Sequence, residues 1–113
     1  MCGILGAIVE REAFARDYEL FPNALRSLSA RGPDHQEFRV IETAQDSNSK
    51  VIFGHTRLSV IDLSEAANQP MNSSCGRYSI VFNGEIYNYK ELIHVEHLEC
   101  KTKSDSEVII RLY

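Results

Sequence analysis

Cys2 follows the initiator methionine directly and opens a run of small and apolar residues from Gly3 to Val9. Closed by Glu10, Arg11 and Glu12, this run fits a buried β-strand and is too short to span a bilayer. A chain of this kind must commit its first residues to its core, with a thiol at the head of the strand. Once Met1 is removed, which a residue as small as cysteine permits, Cys2 carries both a thiol and a free α-amine. An α-amine has a reference pKa of about 7.7 to 8.0, so it can accept the thiol proton near neutrality, and nucleophile and base then share one residue. The plainer reading is a small buried cysteine at the start of a strand.

At 113 residues, 43% hydrophobic and 25% charged, the sequence supports a single globular core. A net charge of −4 with no basic stripe disfavours nucleic acid and anionic membranes as partners. No basic region precedes the apolar opening, so a secretory signal is not expected and the expected compartment is the cytoplasm. Cys2, Cys75 and Cys100 show no CxxC spacing, which fits a reduced environment without a thiolate metal site. His94, His97 and Cys100 recur at three-residue spacing, but that step drifts around a helix and fits a solvated face better than a metal site.

Leu20, Phe21, Ala24, Leu25 and Leu28 predict a helix over Tyr18 to Leu28. After a turn at Arg31 to Asp34, strands are expected over Glu37 to Ile41 and Val51 to Ile61, with a polar loop from Thr43 to Ser49 between them. A second loop, Ser64 to Gly76, leads into Tyr78 to Phe82, the clearest strand pattern in the chain. Asn88 with Glu91, and more strongly Ser104 with Glu107, mark helix starts. The last helix, Asp105 to Tyr113, is still periodic at the final residue, so the domain is expected to continue beyond it.

Four segments carry further chemistry: Arg31-Gly32-Pro33-Asp34, Gly54 to Asp62, Asn83 to Asn88, and Ser104 to Glu107. The first is a respectable turn by itself. Arg57 reads as a solvated strand arginine or, beside a pocket, as a bidentate carboxylate clamp. Asn83-Gly84 is the strongest short-range hairpin signal, yet the same pair can point an amide and a glycine N–H at a developing oxyanion. The helix start at Asn88 favours the second reading, because it leaves too few residues for a full return strand. Asp105 is by default an acid in the first turn of a helix, and a ligand ammonium could compete for it.

An amino-terminal cysteine, a carboxylate clamp, an oxyanion pair and an acid for an ammonium are together what glutamine hydrolysis requires. In order and wording the segments resemble the class II glutamine amidotransferases, which are amino-terminal-nucleophile hydrolases, and within them the glutaminase domain of glutamine-dependent asparagine synthetases. The wording that carries this is RGPD from Arg31, RLSVIDL from Arg57, QPM from Gln69, NGEIYNY from Asn83 and SDSEVI from Ser104. Ala30 departs from the histidine common before RGPD, and Ser106 from the threonine or cysteine common after Ser-Asp.

The resemblance implies an α+β fold, part of a four-layer αββα sandwich with antiparallel sheets, and makes residues 1–113 a glutaminase domain cut short on its C-terminal side. It makes Cys2 the nucleophile and Asn83 with Gly84 the oxyanion hole. Arg57 would take the α-carboxylate of glutamine and Asp105 with Glu85 its α-ammonium, while Leu58, Val60 and Ile61 would line the site partly through backbone groups. No cofactor or metal is implied for this domain; ATP and magnesium are implied for a C-terminal synthetase domain that would use the ammonia on aspartate. Homodimerisation of a full-length protein stays open. The rival readings are a catalytically silent glutamine-binding or interaction fragment and an amidotransferase acting on another acceptor. A chain ending here is expected to be inactive on its own.

Overall fold

The computed structural model describes residues 1–42 and 48–113. The polar loop expected over Thr43 to Ser49 therefore falls largely outside the described residues. Three strands form an antiparallel sheet in the order β1-β3-β2: β1 is Gly3–Glu10, β2 is His35–Ile41 and β3 is Ser49–Arg57. Helix α1, Phe14–Arg26, packs on one face. It begins earlier than the apolar spacing predicts and carries Pro22, whose missing N–H removes one rung from the helical ladder.

The period of two along β1 and β3 decides which residues meet α1. Val9, Phe21 and Ile52 form the core, with Leu5, Ala7, Phe38 and Val40 against it. Burying a side chain such as Phe21 contributes about 1.5 to 3 kcal/mol. The opposite face carries Ile4, Ile8, Phe53, His55 and Arg57. Strand β1 is thus not buried throughout, as its composition predicts: Ile8 on this second face is 79% exposed. An apolar run says nothing about which of a strand's two faces finds a partner.

The strand expected over Val51 to Ile61 ends at Arg57, where its partners end. Thr56 pairs with Gly3, the first residue of β1, and Arg57 pairs with His35, the first of β2. Residues 58–61 leave the sheet and run along the site. A short helical turn, Glu65–Ala67, and β4, Met71–Asn72, interrupt the expected loop from Ser64 to Gly76.

Strand β5 covers only Ser79–Ile80, paired with β4, although the pattern predicts a strand from Tyr78 to Phe82. Side chains take the flanking backbone donors: the Tyr78 N–H donates to Ser73 Oγ at 3.1 Å and the Phe82 N–H to Gln69 Oε1 at 2.6 Å. No hairpin forms at Asn83-Gly84. The Ile86 N–H donates to Asp105 Oδ2 at 2.8 Å instead of to a return strand, and the chain enters α2, Tyr89–Val95.

Asn88 stands at the start of α2 but makes no side-chain capping bond. Ser104 does cap α3, Asp105–Leu112, accepting the Ser106 N–H. Its expected acidic partner Glu107 reaches elsewhere, accepting the N–H groups of Lys101 and Thr102 and bonding Arg111. Helix α2 stops before His97, whose φ is +51°, so His94, His97 and Cys100 share no helical face. The described residues make an α+β arrangement of two antiparallel sheets and three helices. Among them no helix is long and apolar enough to cross a membrane.

Candidate active site

The antiparallel register that pairs Gly3 with Thr56 places Cys2, one residue before β1, beside the point where β3 ends. The Leu58 backbone brackets the thiol there. Its N–H donates to Cys2 Sγ at 3.4 Å, and the thiol reaches the Leu58 carbonyl at 3.8 Å.

The Arg31 to Asp34 turn holds both sides of this junction. Arg31 Nε donates to the Cys2 carbonyl at 3.0 Å, and Asp34 Oδ2 accepts the Ser59 N–H at 2.7 Å. Gly32 between them lies against the β3 backbone, where a Cβ would stand 2.3 Å from the Thr56 carbonyl. What the sequence presents as punctuation is a bracket around the cysteine.

A cavity of about 360 Å3 opens at this junction. Its wall brings together Cys2, Arg57, Leu58, Val60, Ile61, Asn83, Gly84, Glu85 and Asp105, which is every site residue expected from the sequence. They come from the ends of β1 and β3, the segment after β5 and the start of α3. Also on the wall are His55, Asp62, Gln69 and Ser106, to which the sequence reading attaches no role.

Arg57 is not the solvated arginine of the plainer reading, since it is only 7% exposed. Nη1 donates to the Ser64 carbonyl at 2.7 Å and to Asn68 Oδ1 at 2.6 Å, and Nη2 donates to the Asp62 carbonyl. Of its five N–H groups, Nε–H and one on Nη2 carry no bond to another described residue. Two donors are what a bidentate carboxylate contact uses. The other three hold the segment from Asp62 to Asn68 against the strand end.

Asp105, the first residue of α3, is also buried. Oδ2 accepts the Ile86 N–H, and Oδ1 has no partner among the described residues. Glu85 is exposed at the rim. The Asn83 side-chain amide and the Gly84 N–H make no hydrogen bond with another described residue, so both donors are available to a ligand. The Phe82 ring packs under Gly84 so closely that a Cβ there would stand 2.5 Å from Phe82 Cζ.

Beneath this segment Gln69 grips the Phe82 N–H through Oε1 and donates through Nε2 to Ser106 Oγ at 3.1 Å. His55 is fully buried, and neither ring nitrogen has a hydrogen-bond partner among the described residues. Burial lowers its pKa from 6.5 to about 4; the nearby Phe82 backbone opposes the shift without forming a hydrogen bond, and Arg57 and His35 add to it. The ring is neutral at pH 7. A signal for it exists in the sequence, because His55 and Arg57 stand two apart on a strand and so share a face. Gln69 has no such signal, since its partners lie 13 and 37 residues away.

No group of three His, Cys, Asp or Glu side chains among the described residues is placed to hold a metal ion. All three cysteines are free. The chemistry on offer is a thiol beside a pair of amide donors, with a cation and an anion set in the same cavity.

Known sequences speak to this chemistry. The chain matches the family described as "Glutamine amidotransferase domain" over residues 1–113. It is 37% identical over 113 residues to "Probable asparagine synthetase (glutamine-hydrolyzing)" of Acanthamoeba polyphaga mimivirus, covering 100% of this chain and 20% of that protein. Against two Bacillus subtilis proteins, glutamine-hydrolyzing asparagine synthetases 1 and 2, it is 37% and 36% identical, again over 100% of this chain and over 17% and 14% of theirs. The chain thus spans a fifth or less of the length of these relatives. It belongs to the glutamine amidotransferase domain family and is similar from end to end to glutamine-hydrolyzing asparagine synthetases.

Proposed function

We propose that this domain hydrolyses glutamine to glutamate and ammonia through a thioester on Cys2. The observation that carries the reading is one cavity whose wall holds the thiol, two amide donors, a buried arginine with two N–H groups and a buried carboxylate with one oxygen that make no bond to another described residue. With Met1 attached the nitrogen of Cys2 is an amide and cannot act as a base, so removal of Met1 is the first step.

The free amine then takes the thiol proton, directly or through a water, and Sγ attacks the side-chain carboxamide of glutamine. The Asn83 amide and the Gly84 N–H receive the developing oxyanion. The amine returns its proton to the departing ammonia, and water, activated by the same amine, cleaves the thioester and releases glutamate. Arg57 holds the α-carboxylate of the substrate. Asp105, with Glu85 at the rim, holds the α-ammonium. Leu58, Val60 and Ile61 complete the wall.

In this reading residues 1–113 form part of a four-layer αββα amino-terminal-nucleophile sandwich, and a C-terminal synthetase domain passes the ammonia to aspartate. ATP and magnesium would serve that domain, and no residue of this chain is assigned to them. The lengths of the relatives support this context. The test is release of glutamate from glutamine by the full-length, processed gene product, followed with and without aspartate and ATP. Absence of glutamate release would overturn the glutaminase reading. Glutamate release without asparagine formation would overturn only the choice of acceptor.

A further inference from the structure

Asp62 lies on the wall of the same cavity as Arg57 and Asp105, the two groups assigned to the charges of glutamine. Its backbone carbonyl accepts from Arg57 Nη2. Its Oδ1 accepts the Ser64 N–H and its Oδ2 the Lys103 N–H, each at 2.7 Å. Lys103 precedes Asp105 by two residues, directly before the cap Ser104. One residue therefore joins the guanidinium that ends β3 to the turn that opens α3, across 41 residues of sequence. Among the described residues no sheet ladder joins β3 to α3, and the other side-chain route between them runs from Arg57 through Asn68 and its neighbour Gln69 to Ser106.

The carboxylate is suited to this task. Hydrogen bonds from Ser64 and Lys103, with a smaller contribution from Arg57, hold its pKa down from 3.8 to about 2. It is thus ionised at neutral pH, and an ionised carboxylate accepts backbone N–H groups on both oxygens at once. Asparagine could accept only one of them and would turn its –NH2 toward the other donor.

We propose that Asp62 is a positioning residue that sets the span between Arg57 and Asp105, so that the cavity selects ligands bearing a carboxylate and an ammonium on one carbon. This rests on the assignment of Arg57 and Asp105 to glutamine. Both carboxylate oxygens of Asp62 are engaged by backbone N–H groups, so its part is to position and not to bind. It acts through the guanidinium on one side and the start of α3 on the other, and its loss should blur discrimination rather than block chemistry.

The experiment compares two substrates in the full-length, processed protein: glutamine, and glutaramate, which has the same carboxamide chain and carboxylate but no α-ammonium. In the wild type glutaramate should show a KM higher by about 100-fold, the size expected when a charged group loses its partner. In Asp62→Asn the KM for glutamine should rise by about 10-fold or more, that for glutaramate should change less than about 2-fold, and kcat should stay within about 3-fold. The ratio between the two substrates then collapses. Asp62→Glu retains both acceptors one methylene further out and gives the same reading should Asp62→Asn lose its cooperative melt. An equal rise in KM for both substrates, or an unchanged ratio, overturns the positioning role while leaving the glutaminase reading intact. A wild-type protein that releases no glutamate removes both.

Discussion

The carboxylate of Asp105 accepts the backbone N–H of Ile86 at 2.8 Å, so the acid that opens α3 also holds the chain two residues beyond the Asn83-Gly84 pair. In the proposed mechanism the binding and catalytic segments are thereby one unit. In that reading an ammonium on Asp105 Oδ1 would act on a side chain already tied to the chain just beyond Asn83-Gly84. Phe82, held by Gln69, fixes that segment from its other end.

Processing should be obligatory. The full-length protein with Met1 removed is expected to release glutamate from glutamine, whereas Cys2→Ala, or a form that retains Met1, should fall by at least about 1,000-fold. Mass spectrometry of the amino terminus beside a glutamate assay reads this. Full turnover with Met1 attached would exclude the amine as base.

Asn83→Ala should lower kcat by about 100- to 1,000-fold, the usual cost of one oxyanion donor, with KM for glutamine changed little. Because Asn83-Gly84 forms no hairpin here, a turn-compatible Asn83→Asp should fare no better. Steady-state kinetics of the two variants decides the matter, and near-normal turnover by Asn83→Asp would return the pair to a purely structural role.

Arg57→Ala should raise KM for glutamine by about 100-fold, as expected for loss of a charged hydrogen-bond partner. It should also lower the melting temperature, since three of its N–H groups hold the segment from Asp62 to Asn68. Arg77 is exposed and lies over the Tyr78 ring, so Arg77→Ala should leave both quantities near wild type. Equal effects at the two arginines would refute the clamp.

His55 makes stability depend on pH. Its folded pKa of about 4 lies below the unfolded 6.5, so its stabilising effect is complete above pH 6.5 and is lost as pH falls toward 4, where the unfolded chain binds a proton that the buried ring refuses. The groups facing it are Arg57 on its own strand, His35 and Glu37 on β2, and the Phe82 backbone. The loss amounts to about 3 kcal/mol across that window. Denaturant unfolding at pH 7 and pH 4.5 should show a steeper fall for the wild type than for His55→Gln, whose side chain does not titrate. Parallel curves would place the ring in a wetter environment than this.

Much of this protein is local and can be read from order alone. The apolar run from Gly3 to Val9, the apolar spacing of Phe21 and Leu25, and the capping serine at Ser104 each act within a few residues. The strands, α1 and the start of α3 accordingly lie close to where those patterns place them. The candidate site residues have a different source: each has a plain structural reading when taken alone, and it is the ordered resemblance to the glutamine amidotransferases that implies a role for the thiol, the guanidinium, the amide beside glycine and the carboxylate. What local pattern cannot show is where a backbone donor goes when its partner is distant. The strand signal at Tyr78 to Phe82 is strong, but Ser73 and Gln69 claim its ends; Asn83-Gly84 reads as a hairpin, but Asp105 claims the Ile86 N–H. Nearly all buried backbone donors find an acceptor. The folded chain chose Gln69, Asp62 and Asp105 from far along the sequence, and those choices bring Cys2, Arg57, Asn83 and Asp105 around one cavity.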